Sequence, residues 1–239
     1  MGIMKNPPLK SFRLDFQFEK PEKMTLENIA QLSQLFEEHF PSIPNISLME
    51  YPTSAINLPL NIGPFVFQTN DKKNHVELFA NGLIFVYTNY DNWQPTRDIM
   101  IKILRDCCNQ LEVKKIFGFR MEYIDEFNIS RENFNIESYF NLFPGVPSDF
   151  VLDFTDFHLG IKIESSLETK FIMRLRGIQP LIENFFTFLL ESLYIDPPVF
   201  ENCEEDTIID RLNKGHEVMI ENFKKAMNLD YYAKLESSE

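Results

Sequence analysis

The chain has 239 residues, 44% hydrophobic and 25% charged, the composition of a soluble globular protein that can bury a full core in one domain or in two halves sharing a sheet. Its 36 acidic against 23 basic side chains leave a net charge of −13, which argues against sequence-independent nucleic-acid binding, because phosphate contact needs a surplus of Lys and Arg. The 24 Phe point to a core filled by rings.

Residues 12–18 alternate Phe12, Leu14, Phe16 and Phe18 with Arg13, Asp15 and Gln17, which predicts a strand with one buried face. Thr25 opens a helix whose apolar positions Ile29, Leu32, Leu35, Phe36 and Phe40 recur every three or four residues until Pro41 stops it. Pro41, Pro44, Pro52, Pro59 and Pro64 mark a loop with room for one edge strand. Residues 65–68, 75–80 and 83–87 read as strands, and Asn81-Gly82 between the last two predicts a hairpin because both residues tolerate positive φ. Asn92 caps a helix with Pro95 in its first turn, and Trp93, Met100, Ile101, Leu104, Cys108 and Leu111 form its buried stripe.

Residues 115–127 follow as a strand, with Phe117, Phe119, Met121 and Tyr123 on an apolar face and Gly118, Arg120, Glu122 and Ile124 on the other. A Pro/Gly loop at 140–147 precedes two long strands, 151–164 and 170–177, joined by a polar turn at 165–168. Residues 185–195 fit helix or strand by periodicity, and their aromatic content favours strand. After Pro197-Pro198 come an acidic linker at 201–206, a helix over about 207–227 and a frayed end at 236–239. Strands grouped as hairpins with helices between the groups favour α+β: a curved, mostly antiparallel sheet with helices packed on one face. The whole of 1–239 reads as a single such domain, with 1–130 and 131–239 as candidate halves.

Four motifs stand in a defined order: Asn6-Pro7-Pro8-Leu9 before the first strand, Tyr90-Asp91-Asn92-Trp93 at a helix opening, Gly118 to Asp125 along a strand, and Leu212, His216 and Phe223 in the last helix. Together they resemble the N-P-P-L start, Y-x-x-W helix opening, R-Y-I-N strand and C-terminal L-H…F helix of a sporadically distributed bacterial family of unknown function, about 250 residues long, a usual single-domain size. The chain departs from that pattern at Met121-Glu122-Tyr123-Ile124-Asp125 and in the spacing of Leu212 from His216. The resemblance also implies a strand at 185–195 and brings no catalytic residues with it. A patchily distributed family of this kind implies a non-enzymatic interaction or regulatory component of a bacterial accessory system, for defence or toxin neutralisation, acting by protein–protein binding.

The residue types agree with a binding role more readily than with catalysis. No P-loop, G-x-G-x-x-G, G-x-S-x-G, H-E-x-x-H or C-x-x-C is present, and 8 Gly leave little material for phosphate-cradling loops. Neither a cofactor nor a metal is expected, and no catalytic residue is assigned. His216 follows Arg211 by five residues, the spacing of a ribonuclease pair in which His is the base and Arg steadies phosphate. Yet Ile208, Leu212, His216, Met219, Ile220 and Phe223 form one helical stripe, and Arg211 lies about 140° away from His216, so a hydrogen-bonded core or interface histidine is the better reading. Asp156 and His158 share a strand face, but nothing completes a metal site around them. Arg120 and Glu122 share the polar strand face and suggest an ion-pair ladder, with Arg174 or Arg176 as candidate partners, or a pocket for a small anion or peptide. The candidate ligand- or partner-binding residues are therefore Arg120, Glu122, Arg174, Arg176 and His216, and a small-molecule or nucleotide sensor is the alternative function.

Three cysteines, with Cys107 and Cys108 adjacent on a helix, do not make a disulfide framework. With no signal sequence and no long apolar run, the expected compartment is a reducing cytoplasm, without membrane contact. The expected partner is a protein, with the product of a neighbouring gene or a second copy of the chain as candidates.

Overall fold

The computed structural model describes residues 8–21, 24–41, 45–46, 64–88, 90, 92–142, 157–164, 169–180, 182–201 and 203–237. Its strands are β1 (Leu9–Phe18), β2 (Asn45–Ile46), β3 (Phe65–Gln68), β4 (Asn74–Phe79), β5 (Gly82–Tyr87), β6 (Lys115–Ser130), β7 (Phe157–Glu164), β8 (Lys170–Ile178), β9 (Phe185–Asp196) and β10 (Phe200–Glu201). The helices are α1 (Leu26–Phe36), α2 (Trp93–Leu111), α3 (Glu205–Ala226) and α4 (Leu229–Glu236). Strands hydrogen-bond in the order β2-β3-β4-β5-β1-β6-β9-β8-β7, with β10 on β6, and neighbours such as β3 and β4, β4 and β5, and β8 and β9 run antiparallel. The fold is α+β with an open antiparallel sheet, as the grouping of strands and helices along the chain predicts. Most of the proline-rich stretch at 41–64, residues 151–156 with Asp156, and the turn at 165–168 lie outside the described residues.

Contacts divide the chain into two compact units that interleave in sequence. The α1–α2 unit comprises Arg13–Arg120 and Pro197–Asp210; the α3–α4 unit comprises Met1–Phe12, Met121–Asp196 and Arg211–Glu239.

In the α1–α2 unit, the Thr25 side chain accepts the Asn28 N–H at 3.2 Å and so caps α1, as its residue type predicts. The helix buries Ile29, Leu32 and Phe36, and the Phe36 ring meets Phe67 of β3 edge-on at 5.0 Å. Leu35 is 45% exposed, so the buried stripe is narrower than the run of apolar residues suggests. Asn92 caps α2, whose inner face carries Met100, Ile101, Ile103, Leu104, Cys107, Cys108 and Leu111; Trp93, expected inside, is only half-buried.

Two expectations about glycine need correction. The β4–β5 hairpin pairs Phe79 with Gly82, so the turn is Ala80-Asn81, and none of these residues has positive φ. Gly82 serves close approach instead: a Cβ there would stand 2.9 Å from the Phe16 carbonyl oxygen of β1. In β6, Gly118 at φ 118° breaks the alternation, so that Gly118 and Phe119 are both buried in succession. Ile116 is therefore inside and Phe117 is 46% exposed, opposite to the expected apolar face, whereas Phe119, Met121 and Tyr123 remain on it.

In the α3–α4 unit, β9 is a strand throughout, as its aromatic content predicts. Phe127 of β6 stacks on Phe223 of α3 at 6.5 Å between centroids and meets Phe140 edge-on at 5.2 Å, which gives this core its aromatic character. The acidic linker is shorter than expected, because Glu201 belongs to β10 and α3 begins at Glu205. Helix α4 occupies a stretch for which the sequence predicts no element, between the helix expected over about 207–227 and the end at 236–239: Asn228 caps it by accepting from Asp230 and Tyr231, and Tyr231 packs on Tyr139 and Phe127.

Candidate functional site

The polar side chains of interest in the α3–α4 unit lie on two opposite sheet faces. Strand alternation in β6 and β9 turns Tyr123, Asp125, Tyr194 and Asp196 toward the buried side, while Glu122, Leu189, Glu191, Leu193 and Ile195 are half-buried on the other.

Helix α3 covers the buried face at close range. A Cβ at Gly215 would meet Tyr194 Cε1 at 2.9 Å and Met121 Cε at 3.6 Å, so the helix backbone rests on β9 and β6 at this point. The following residue, His216, has its Nδ1 2.6 Å from the Tyr123 hydroxyl, and the rings stand edge to face. Burial pushes the His216 imidazole down to about 4, which leaves it neutral at pH 7. One turn earlier, Arg211 donates to both oxygens of Asp196, at 2.8 and 2.6 Å, and the Asp196 side chain is 1% exposed. Burial and, next, the Asp196 charge raise the Tyr194 hydroxyl to about 12.

Asp125 is the most unusual group in this layer. It is 5% exposed on β6, between Tyr123 and Phe127 of the same face, and burial pushes its carboxyl up to about 8. At pH 7 it is mostly protonated. On β9, the Ser192 hydroxyl is buried with no hydrogen-bond partner among the described residues.

The opposite face carries the charged residues singled out by sequence. Arg174 and Arg176 of β8 both reach Glu191 of β9, the former at 4.0 Å. Half-buried Ile172, Leu189, Leu193 and Ile195 surround them, and His158 and Gly160 of β7 stand opposite Arg176 and Arg174 in register. Arg174 and Arg176 therefore do not pair with β6 as expected; β9 lies between β8 and β6 and supplies the carboxylate. Arg120, in the α1–α2 unit, forms its cross-strand ion pair with Asp15 of β1 at 2.7 Å, where Arg13 Nε also donates at 2.7 Å.

The five candidate residues thus fall into separate settings rather than one site: Arg120 on Asp15, Arg174 and Arg176 on Glu191, His216 on Tyr123, and Glu122 half-buried on β6. Arg211 and His216 engage different partners, so the ribonuclease spacing does not produce a convergent base and cation. Sequence reasoning missed Asp125 and Asp196, although both sit in phase with apolar neighbours along their strands, which is the signal of a buried carboxyl. Among the described residues no three His, Cys, Asp or Glu side chains are grouped so as to hold a metal ion. No described helix is long and apolar enough to cross a membrane. No protein-family model matches the chain, and no curated protein is significantly similar to it in sequence.

Proposed function

We propose that this protein is a non-enzymatic interaction or regulatory component of a bacterial accessory system, of the defence or toxin-neutralising kind, and that it acts by binding a protein partner. The observation that carries this reading is the composition of the β8–β9 face. Aliphatic Ile172, Leu189, Leu193 and Ile195 are only half-buried there and adjoin Arg174, Arg176 and Glu191. Arginine beside apolar area is what protein interfaces are built from, since its apolar stem and forked cation give both burial and directional bonds. The accessory-system assignment rests on the resemblance of the four ordered motifs. The engagement of His216 by Tyr123 and of Arg211 by Asp196 weighs against a ribonuclease.

Native mass spectrometry of the tagged protein, isolated from cells with its neighbouring genes, tests this. A stoichiometric protein partner that is lost in Arg174→Glu and Leu193→Glu variants of unchanged thermal midpoint is the expected outcome. A partner that stays bound to both variants overturns the choice of face, and a chain that isolates alone overturns the reading.

A small anionic ligand is the second reading, favoured by Gly160. Among the described residues, a Cβ built at this exposed position meets only His158 Nε2 within 4 Å, at 4.0 Å, which leaves the β7 backbone open opposite Arg174. Saturating nucleotides should then raise the melting temperature by mass action, and Arg174→Ala should abolish the rise. No shift with any nucleotide removes this alternative.

A further inference from the structure

Strand β7 ends the order of the sheet, so within the α3–α4 unit one of its edges is bonded to β8 and the other meets no strand among the described residues. Its residues Phe157–Glu164 pair one for one with β8, from Gly177 back to Lys170, without a bulge. In an antiparallel ladder alternate residues turn their N–H and C=O toward the neighbour, and those between turn theirs away, which leaves a row of main-chain donors and acceptors along the outer edge. Side-chain cover is thin on both faces of the strand. On the core side Leu159 and Ile161 are half-buried, whereas Leu175 and Met173, opposite them on β8, are 0% and 3% exposed. On the other side His158 and Gly160 are exposed.

The charge beside that edge is unbalanced. Strand β8 turns Lys170, Arg174 and Arg176 to the face of His158 and Gly160, and Glu191 is the acid that β9 sets against them. Arg174 is 47% exposed and stands 4.0 Å from the Glu191 carboxylate, which Arg176 approaches more closely. Arg176 Nε has no hydrogen-bond partner among the described residues. Two guanidinium groups carry about ten N–H donors and a carboxylate accepts about four, so donors are left over. This local excess of cation lies on a chain of net charge −13.

We propose that the β7 edge takes an extended acidic segment of a partner protein as an added strand, with carboxylates at alternate positions directed at Arg174 and Arg176. This rests on the reading of the β8–β9 face as the partner-binding surface and names the chemistry of what binds beside it. Main-chain bonds to the edge give affinity whatever the sequence, and the alternate side chains give selectivity. On the core side, apolar residues of the added strand would cover Leu159 and Ile161. On the other side its acids would face β8 across two strand spacings, about 9.6 Å, a gap that a Glu and an Arg side chain close together only where nothing stands between them. Gly160 leaves that gap open: it is opposite Arg174, and among the described residues a Cβ there meets only His158 Nε2, at 4.0 Å. A second copy of the chain would bring the same cations against these, so the charge favours a foreign acidic strand.

The probe is a blocked, fluorescent octapeptide that alternates Val and Glu, titrated into the full-length chain by polarisation, with amide hydrogen exchange of 157–164 read in parallel. Its lysine counterpart should bind at least about 10-fold more weakly, and so should one of two peptides N-methylated on either the odd or the even amides, the other methylated set being tolerated. The β7 amides should gain protection, and Arg174→Gln should reduce the preference for Glu over Lys; if that variant fails to fold, the wild-type peptide series decides. Equal binding of the Glu and Lys peptides, equal binding of both methylated sets, no binding of the Glu peptide up to about 1 mM, or a dimer whose β7 amides are protected before peptide is added would each overturn strand addition. A native partner that protects β9 but not β7 overturns it alone, whereas a chain that isolates without a partner overturns the reading on which it rests.

Discussion

Asp125→Asn should change the pH dependence of stability in a way that can be worked out from two buried groups. The folded carboxyl of Asp125 is raised by burial from 3.8 to about 8, so between those values the folded chain holds a proton that the unfolded chain releases. That contribution is complete below the unfolded value and is lost as pH rises through the folded one. At about 1.4 kcal/mol per unit, a shift of roughly four units corresponds to ~6 kcal/mol across the window. His216 works in the opposite sense: its folded value is lowered by burial from 6.5 to about 4, so its contribution is complete above the unfolded value and lost as pH falls toward the folded one. Between about pH 4 and 6.5 the two slopes cancel, and from about 6.5 to 8 the Asp125 slope stands alone and lowers stability by ~2 kcal/mol. Asparagine keeps the shape and removes the proton. The variant should therefore gain stability with pH up to about 6.5 and then stay level with respect to this pair. Urea unfolding of both proteins from about pH 5 to 8 measures this, and the informative quantity is the difference between them, in which the titration of other groups cancels. A difference that is constant across that range would refute the reasoning.

Arg211→Met strands the Asp196 carboxylate, whose side chain is 1% exposed, and should cost ~3–5 kcal/mol in urea unfolding, part of it recovered by adding Asp196→Asn; a cost below about 1 kcal/mol would show that the carboxylate finds other solvation. Gly215→Ala gains about 1 kcal/mol of helix propensity but places a Cβ 2.9 and 3.0 Å from Tyr194 ring atoms, and Tyr194 is 2% exposed, so the net effect should be destabilising by ~1–2 kcal/mol; a raised melting temperature would contradict the close packing. Gly118→Ala puts a side chain at φ 118° and should cost ~1–3 kcal/mol, read in the same denaturation assay; an unchanged midpoint would mean that β6 relaxes its kink freely.

Period and caps were legible in this sequence because each is a local property. Thr25 and Asn92 cap the helices they are expected to cap, and the alternation from Phe12 to Phe18 survives as a strand with one buried face. What was not legible depends on neighbours that the strand itself does not specify. Gly82 reads as a turn residue beside Asn81, yet its place is set by the approach of the Phe16 carbonyl, a contact that exists only once β1 lies next to β5. Phe117 reads as a core residue for the same reason: a single left-handed φ at Gly118 shifts the phase of everything before it, and alternation counted from Phe119 alone cannot reveal that.

The candidate residues show the same division between type and partner. His216 falls on the apolar stripe of α3, and its helical phase is enough to predict a satisfied, inward-facing histidine, but Tyr123 as its partner follows only from the packing of α3 across β6. Arg174 and Arg176 were readable as one cationic strand face, and their shared carboxylate was not, because strand order decides which acid stands opposite. Asp125 and Asp196 carry the further lesson that phase outranks residue type. Each is an acid at a position where strand alternation demands burial, and the fold answers differently in the two cases: Arg211 compensates Asp196 with a bidentate pair, while Asp125 keeps its proton. Acids at such positions are where this sequence departs from the requirements of packing alone, and an asparagine at 125 would fill the same volume without taking up a proton on folding. The carboxyl is therefore a cost to the fold near neutral pH, which makes it the first buried position whose replacement should be tested for partner binding as well as for stability.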